Sequence, residues 1–342
     1  MVSGHPIFVV GSPRNGTTLM KDLLNGHSRV YLFNELHFFE RFWDRRDALG
    51  DLGEPVAFAR AAEAVRAHAA SHGTDADAAR ATTPEQFRVR AAAVGGGYAG
   101  LLRAALESTA AAHAADHWGD SSPQDVLYLE TLAAWYPDVR IVGMARDPRS
   151  FLASYKNYHR RAAANYRERY NPISNALLWR SYMAALLDAA RGPLAHRIRV
   201  TRYEDVVSQP ESEVRAVCAH VGIEFEPGML AVSGGNSSYE RGKGKPGVHT
   251  GSLDRWRSEL TKTDIWLVER LCGPVMAELG YAAVCSTERI RPNPVDLIGA
   301  IALVPQRLFN MLFRSRKPFH WRKLTAVLAR LSGSRGAPSG GR

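Results

Sequence analysis

The sequence predicts an α/β fold in which a P-loop-like parallel sheet is flanked by helices, with a helical insertion and a basic amphipathic C-terminal tail. The first observation is that short, fully apolar segments alternate along the chain with amphipathic ones. Continuous apolar runs are typical of strands buried on both faces of a parallel sheet, and the helices supply the crossovers between them. The second observation is a glycine-rich turn after the first apolar run, and the third is a basic C-terminal segment.

The individual elements follow from apolar runs and from helix boundary residues. The predicted strands are Ile7–Val10, Val30–Phe33, Val139–Ala145 and Arg197–Tyr203. The predicted helices are Thr17–Leu24, one that begins near Pro148, and one that opens with Ser208 and Pro210 and ends near Val221 before Gly222. Proline in the first turn and glycine after the last residue are the usual boundaries of a helix.

The predicted domain organisation is one large domain at 1–285 followed by a tail at 286–342. Residues 45–117 form an alanine-rich, helical insertion. Two interpretations of this insertion stay open, namely a cap over an active site and ordinary helical packing. The boundary near residue 286 rests on charge, because the tail holds eleven Lys or Arg and two acidic residues, which leaves the rest nearly neutral.

Cysteine usage and the N-terminus indicate the compartment. The three cysteines are widely spaced, which argues against a disulfide framework or a zinc site and suits a reducing environment. The first apolar run is only four residues long, so it does not form the core of a signal peptide. We therefore expect a cytoplasmic protein. Because its tail is basic, association with the inner face of a membrane also stays open.

The turn after the first strand reads GSPRNGTT and nearly fits the phosphate-loop pattern G-x-x-x-x-G-K-[ST]. Gly11 and Gly16 are in place, but Thr17 stands where the lysine is expected. Arg14 and the hydroxyl groups of Thr17 and Thr18 favour an anion site over an ordinary turn. Without the lysine, a kinase or NTPase is the weaker alternative. A sulfuryl donor carries less charge than a γ-phosphate and needs no metal, so the loop favours such a donor.

Four segments in the same order resemble the sulfotransferases that use 3′-phosphoadenosine 5′-phosphosulfate (PAPS). The 5′-phosphosulfate loop of that family resembles PRNGTTLMKDLLNGH, and its 3′-phosphate element resembles VGMARDPRSFLASY. Its third strand and next helix resemble RYEDVVSQPESEVRAVCAHVGIEFEP, and its late nucleotide-covering segment resembles SSYERGKGKPGVHTGSLDRWRSEL. The resemblance covers most of residues 6–282. The bacterial and tyrosylprotein-type branches look nearer than the branch with a catalytic histidine.

The resemblance implies a role for each matching residue, with PAPS as co-substrate, PAP (3′-phosphoadenosine 5′-phosphate) as product and no metal. The 5′-phosphosulfate would be held by Arg14, Asn15, Gly16, Thr17 and Thr18. The 3′-phosphate would be held by Arg146 and Ser154. Tyr203 would line the nucleotide site. Ser237 would contact the sulfate, and Arg255 would contact the phosphates of the nucleotide. Arg14 and Ser237 would also act in catalysis. A surface ion pair with Asp147 or a nearby acid is the alternative for Arg146, and a core position is the alternative for Tyr203.

The general base that the resemblance implies is Glu35, which follows the short strand Val30–Phe33. His37 is then either a second polar contact or a core histidine. The family lysine of the G-[DE]-K-[TS]-P segment is replaced by Ser121 in WGDSSP. Arg14 or Lys243 compensates for it, or the chain is a PAPS- and PAP-binding protein with degenerate catalysis.

The composition of the tail predicts the binding partners of the protein. Its apolar run Leu297–Val304 and its second apolar stripe in Phe319–Leu331 are flanked by basic residues, which is typical of a helix lying in a membrane interface. We therefore expect peripheral contact with an anionic membrane and a lipid- or glycan-linked acceptor, and we expect no nucleic acid. The alternative is that these apolar faces pack on the body or on a second subunit in a homo-oligomer.

Overall fold

The structure, a computed structural model, describes residues 4–71, 76–162, 170–232, 251 and 253–309. Its centre is a five-stranded sheet with the strand order β2-β3-β1-β4-β5, in which every neighbouring pair is parallel. The strands are β1 (Pro6–Gly11), β2 (Val30–Phe33), β3 (His117–Asp120), β4 (Arg140–Ala145) and β5 (Ile198–Arg202). All carboxyl ends of the strands therefore lie at one edge of the sheet, where ligands bind in such folds.

Helices flank this sheet and join its strands. In the first half of the chain they are α1 (Thr17–Asn25), α2 (Phe38–Arg41), α3 (Arg46–Leu49), α4 (Pro55–Ala70), α5 (Ala76–Arg80), α6 (Pro84–Ala93), α7 (Gly97–Ala112) and α8 (Leu129–Trp135). In the second half they are α9 (Pro148–Ala162), α10 (Pro172–Arg191), α11 (Tyr203–Ser208), α12 (Pro210–Val221), α13 (Trp256–Glu259), α14 (Lys262–Glu278) and α15 (Pro294–Phe309). Short 3₁₀ turns lie at Trp43–Arg45, Pro123–Leu127, Ala195–Arg197 and Pro227–Leu230.

The predicted α/β fold with a parallel sheet is confirmed, and all four predicted strands are present within two residues of their expected bounds. The sequence did not predict β3, which lies between β1 and β2 in the sheet. The reason is its composition: β3 reads HWGD, so it lacks the apolar run that identified the other strands. Its two polar end residues are nevertheless buried, because β3 is covered on both sides by neighbouring strands.

The predicted insertion is helical and forms the connection between β2 and β3. Its last helix, α7, packs against both of these strands. The helix α4 contacts the segment that follows β2, because the His68 ring nitrogen Nε2 lies 3.0 Å from the carbonyl oxygen of Leu36. The insertion therefore touches the segment of the predicted base, while its role as an acceptor cap stays a prediction.

The predicted tail is described only as far as residue 309, and the second apolar segment, Phe319–Leu331, lies outside the described residues. The first apolar run, Leu297–Val304, forms half of α15. Within the described ranges, none of the helices combines the length and the apolar character needed to cross a bilayer.

Candidate functional site

The glycine-rich loop runs from the end of β1 to the start of α1. Gly16, the residue before α1, has φ +93°, a left-handed conformation that glycine adopts without strain. The loop turns back on itself through a hydrogen bond from the Asn15 backbone N–H to Ser12 O at 3.0 Å. The Asn15 side chain ties the loop to the neighbouring strand, because its amide donates to Met144 O at 3.1 Å. The loop is thus fixed against β4.

The first turn of α1 presents backbone N–H groups at the end of the helix that joins this loop. The first backbone N–H of α1 with an intrahelical partner is that of Met20, which donates to Gly16 O at 3.0 Å. The N–H groups of Thr17, Thr18 and Leu19 precede it and have no carbonyl four residues back within the helix. Together with the partial positive charge at a helix N-terminus, these donors form a site for an anion.

Arg146 lies against this loop from the end of β4. Its Nη1 donates to the carbonyl oxygen of Arg14 at 3.0 Å, and its guanidinium carbon lies 4.2 Å from the centre of the Tyr203 ring. The same ring borders the loop, since a Cβ atom added to Gly16 would lie 2.5 Å from its Cδ2. Arg146, Tyr203 and the loop therefore form one contact unit, as the resemblance implies.

Arg146 does not form an ion pair with its sequence neighbour Asp147. Asp147 pairs with Arg149 instead, at 2.6 Å, and Arg149 also contacts Glu269 at 2.8 Å. Arg146 is only 7% exposed, and its Nε atom is buried without a hydrogen-bond partner among the described residues. Burial of such a donor is costly unless a ligand supplies an acceptor. The arrangement favours the ligand-binding interpretation of Arg146 over an ion pair with Asp147.

Ser154 meets Arg14 on the other side of the loop. Arg14 Nε donates to Ser154 Oγ at 3.3 Å, and the Arg14 guanidinium lies 5.3 Å from the centre of the Tyr158 ring. Ser154 is buried two turns into α9. The structure therefore brings together five predicted residues, which are Arg14, Gly16, Arg146, Ser154 and Tyr203.

Arg255 and Ser237 are two further residues that are predicted to contact the nucleotide. Arg255 precedes α13, and its Nε donates to Gly251 O at 2.6 Å. The segment that carries it is held on the first turn of α9, because Ser150 Oγ donates to Leu253 O at 3.1 Å. Ser237 lies outside the described residues.

Ser121 lies buried next to the start of α1, in the place that the family lysine is expected to occupy. Its backbone N–H donates to Phe33 O at 3.0 Å, and its hydroxyl donates to Thr17 O at 3.4 Å. The serine thus supplies a neutral group where a lysine would bring a charge. Arg14 and Arg146 are the cations that the described contacts place at the loop, while Lys243 lies outside the described residues.

Glu35 and His37 follow β2 at the same edge of the sheet. Both have left-handed backbones, with φ +59° and +52°. This turn is held over the end of β3, because Leu36 N donates to Asp120 Oδ1 at 3.1 Å and His37 N donates to Ser122 Oγ at 2.9 Å. The side chains of Glu35 and His37 meet, with 3.5 Å between Oε2 and Nε2.

The His37 ring is held among carboxylates, with its Nδ1 atom 3.9 Å from Glu40 Oε2. Burial alone lowers the pKa of His37. The contact with Glu35 and the charge of Glu40 outweigh burial, so the pKa of His37 is raised above its usual value. Its partial exposure and its two acidic neighbours favour a polar contact over a core histidine.

Asp120 is a buried carboxylate that the sequence did not single out. Burial raises its pKa to about 6, and its Oδ2 atom has no hydrogen-bond partner among the described residues. Nearby Asp125 is also buried, and burial with the charge of Asp120 raises its pKa well above the usual range. Asp120 is the last residue of β3, and Asp125 lies in the 3₁₀ turn Pro123–Leu127 that follows, so the missing information was the unpredicted strand.

Trp179 is a third residue at the site that the sequence left unassigned. Its indole Nε1 donates to the carbonyl oxygen of Arg146 at 3.1 Å, and both groups are buried. It fixes the backbone of Arg146 against α10. Nothing in the local sequence pattern indicates this contact, because the two residues are 33 positions apart. Among the described residues, we find no group of three or more His, Cys, Asp or Glu side chains that fits a metal ion.

Comparison with known proteins identifies the family and the fold of this chain. The model of the sulfotransferase family matches residues 6–227. Human carbohydrate sulfotransferase 5 is 30% identical over 188 residues, 47% of this chain and 44% of the relative. The nodulation protein NoeE of Sinorhizobium fredii is 26% identical over 305 residues, 80% of this chain and 65% of the relative. The chain thus spans less than two thirds of the length of either relative.

Solved structures share the fold. The sulfotransferase domain of the Synechococcus PCC 7002 olefin synthase covers 82% of this chain and 97% of its own length, with a TM-score of 0.55 and 21% identity. The sulfotransferase domain from the curacin biosynthetic pathway has a TM-score of 0.54 at 18% identity, over 82% of this chain and 98% of its own. Since the family model covers more than half of the residues, this chain belongs to the sulfotransferase family.

Proposed function

We propose that this sulfotransferase moves the sulfuryl group of PAPS directly onto a hydroxyl or amine of an acceptor, with Glu35 as general base. In this step the acceptor oxygen or nitrogen bonds to sulfur while the bond from sulfur to the bridging phosphate oxygen breaks. The acceptor proton passes to Glu35, and PAP leaves with the negative charge on its 5′-phosphate. No metal is required in this scheme.

The observation that carries the proposal is the buried guanidinium of Arg146 against the loop. One face of it rests on Tyr203, one nitrogen holds the Arg14 carbonyl, and Nε lacks a partner among the described residues. The loop suits one phosphate group. A second phosphate group beside the loop would pair with the buried guanidinium of Arg146. The 3′-phosphate of PAPS supplies this second phosphate, which an ordinary nucleoside triphosphate lacks.

The distribution of charge supports the direction of transfer. The donor side of the site carries Arg14 and Arg146, which suit an anionic nucleotide. The side after β2 carries Glu35 with His37 and Glu40 beside it. A carboxylate at this edge can accept a proton from an attacking hydroxyl. The half-exposed Glu35 side chain is accessible to an acceptor that enters from solvent.

The acceptor we propose is a hydroxyl of a glycan. Support comes from the carbohydrate sulfotransferases among the relatives. The carboxylates on the acceptor side also fit hydroxyl groups better than an acidic peptide, since like charges would repel each other. Transfer of labelled sulfate from PAPS to neutral oligosaccharides, compared with phenols and tyrosine peptides, checks this choice.

The donor is tested by calorimetric titration of PAP and of adenosine 5′-phosphate, which lacks the 3′-phosphate. Arg146→Ala should weaken PAP binding by about 30- to 150-fold, the equivalent of a charged hydrogen bond of about 2–3 kcal/mol. Binding of adenosine 5′-phosphate should change much less. Equal losses for both ligands would show that Arg146 only supports the loop.

Two controls accompany this titration. Arg215→Ala removes an arginine that also stacks on an aromatic ring, Phe225 at 4.1 Å, but lies on the surface of α12, so PAP binding should be unchanged. Titrations with EDTA and with Mg²⁺ should agree. A requirement for Mg²⁺ would instead favour the kinase or NTPase alternative.

A second candidate function is a PAPS- and PAP-binding protein with degenerate catalysis. The observation that favours it is Ser121, whose neutral hydroxyl faces the start of α1 in place of the family lysine. Under this alternative PAP binds as proposed, but no labelled sulfate reaches any acceptor. Both functions therefore predict that PAP binds, but only the sulfotransferase predicts transfer of sulfate to an acceptor.

A further inference from the structure

Helix α15 carries an apolar stripe on its outer face. The stripe contains Val295, Ile298 and Ile301, with exposed fractions of 77%, 66% and 54%. Their spacing of three residues places them on one side of an α-helix. A contiguous apolar surface of this kind is unusual on a protein that is surrounded by water alone.

The opposite face of α15 is held on the body of the protein. Ala300 is buried, and its carbonyl oxygen accepts a hydrogen bond from the Asn171 side chain at 2.8 Å. The segment just before the helix is fixed as well, because Asn293 N donates to Thr263 Oγ1 at 2.8 Å. The helix is therefore seated by one face, and the apolar stripe points away from the body.

This helix lies near the edge of the sheet that carries the functional site. Trp179 of α10 contacts the backbone of Arg146 at the end of β4, and Leu186, one to two turns later, packs on Gly143 inside the strand. The start of α10 therefore extends beyond the site edge. Asn171, eight residues before Trp179, lies about 12 Å past that edge along the helix axis, and it holds Ala300 there.

The sequence that follows α15 is strongly basic. Residues 310–342 contain eight Lys or Arg and no Asp or Glu. Basic residues next to an apolar helical face complement the negative surface of a membrane with anionic lipids. This basic segment follows α15 directly in the sequence, so the charge lies close to the helix that carries the apolar stripe.

We infer that the outer face of α15 docks on an anionic lipid surface, with the basic residues that follow it, and that this docking turns the site edge towards the membrane. Insertion of the stripe gains apolar burial, and the charges add attraction to the lipid headgroups. An acceptor carried by a membrane lipid then meets the site without leaving the surface. The docking itself does not depend on the proposed function.

The test is co-sedimentation of the full chain with phosphatidylcholine vesicles, with and without phosphatidylglycerol. The wild-type protein should bind the anionic vesicles and should be released by high salt. The double variant Ile298→Glu, Ile301→Glu should lower the partition coefficient by about tenfold or more, because two apolar side chains become charged. Unchanged PAP binding by this variant shows that it is folded.

The control variant is Val56→Glu, Val89→Glu, which alters two residues of comparable exposure on the insertion helices α4 and α6. It should bind vesicles like the wild type. The proposal is wrong if the wild type stays in the supernatant, or if both double variants lose binding equally. It is also overturned if light scattering shows that Ile298→Glu, Ile301→Glu dissociates a dimer that never binds vesicles.

Discussion

The contact between the loop and Tyr203 can be tested by adding a single methyl group at Gly16. Gly16 has φ +93°, and a Cβ atom there would lie 2.5 Å from the Cδ2 atom of the Tyr203 ring. Gly16→Ala therefore has two costs, a backbone conformation that alanine disfavours and a clash with the ring on which Arg146 rests. The substitution should weaken both the fold and the binding of PAP.

The magnitude of each cost follows from the geometry. An alanine in the left-handed region costs about 1–2 kcal/mol. Ordinary contacts of a Cβ atom are 3.4–4 Å, so the Tyr203 ring has to move away from the added methyl group. Such overpacking in a close-packed site costs about 1–3 kcal/mol more. We expect Gly16→Ala to lower the free energy of unfolding by about 2–5 kcal/mol.

Gly222 offers a matched control for the backbone cost. It ends α12 with φ +72°, and the nearest atom to an added Cβ is His5 Cε1 at 3.6 Å, an ordinary contact. Gly222→Ala should therefore cost only the backbone part, about 1–2 kcal/mol. Unfolding in urea measures both variants, and titration with PAP measures the effect on the site. Only Gly16→Ala should weaken PAP binding.

The clash is isolated by a double-mutant cycle with Tyr203→Ala. In that background the ring is gone, so Gly16→Ala should cost no more than the Gly222→Ala control. A coupling of about 1–3 kcal/mol between the two sites is expected. If Gly16→Ala costs as little as Gly222→Ala in the wild-type background, the Tyr203 ring does not border the loop as described, and the reasoning fails.

Two further substitutions test the catalytic assignments. Glu35→Gln keeps the shape of the side chain but removes its basicity, so sulfuryl transfer should fall by about 10²–10⁴-fold with PAP affinity nearly unchanged. If His37→Ala abolishes transfer and Glu35→Gln does not, His37 is the base. Ser121→Lys should raise kcat by up to about 10²-fold, since a missing charge contact is worth about 3 kcal/mol, and Ser121→Met is the uncharged control. No gain in kcat would mean that another cation already occupies that place.

Local patterns were sufficient to predict the loop and four strands, whereas the roles of the site residues came from the family resemblance and stay predictions. The runs that form β1 and β4 are buried on both faces, so their apolar composition identifies them directly. The strand β3 could not be identified in this way. It is buried between neighbouring strands, and its polar side chains have partners inside the protein. Asp120, for example, is fully buried yet accepts the Leu36 N–H at 3.1 Å. A polar strand of this kind is indistinguishable from a loop until its neighbours are known.

The missed strand also explains why the environment of His37 was not predictable. The acids that raise its pKa are its neighbours Glu35 and Glu40 and, across the sheet edge, Asp120 from 83 positions later in the chain. The first two are visible in the sequence, but a local reading leaves open whether the histidine faces them or the core. In the structure the His37 ring faces Glu35 and Glu40, and the hydrogen bond from His37 N to Ser122 Oγ holds its segment over the end of β3. The polar surroundings of His37 are therefore a consequence of the strand order, and strand order is set by long-range packing.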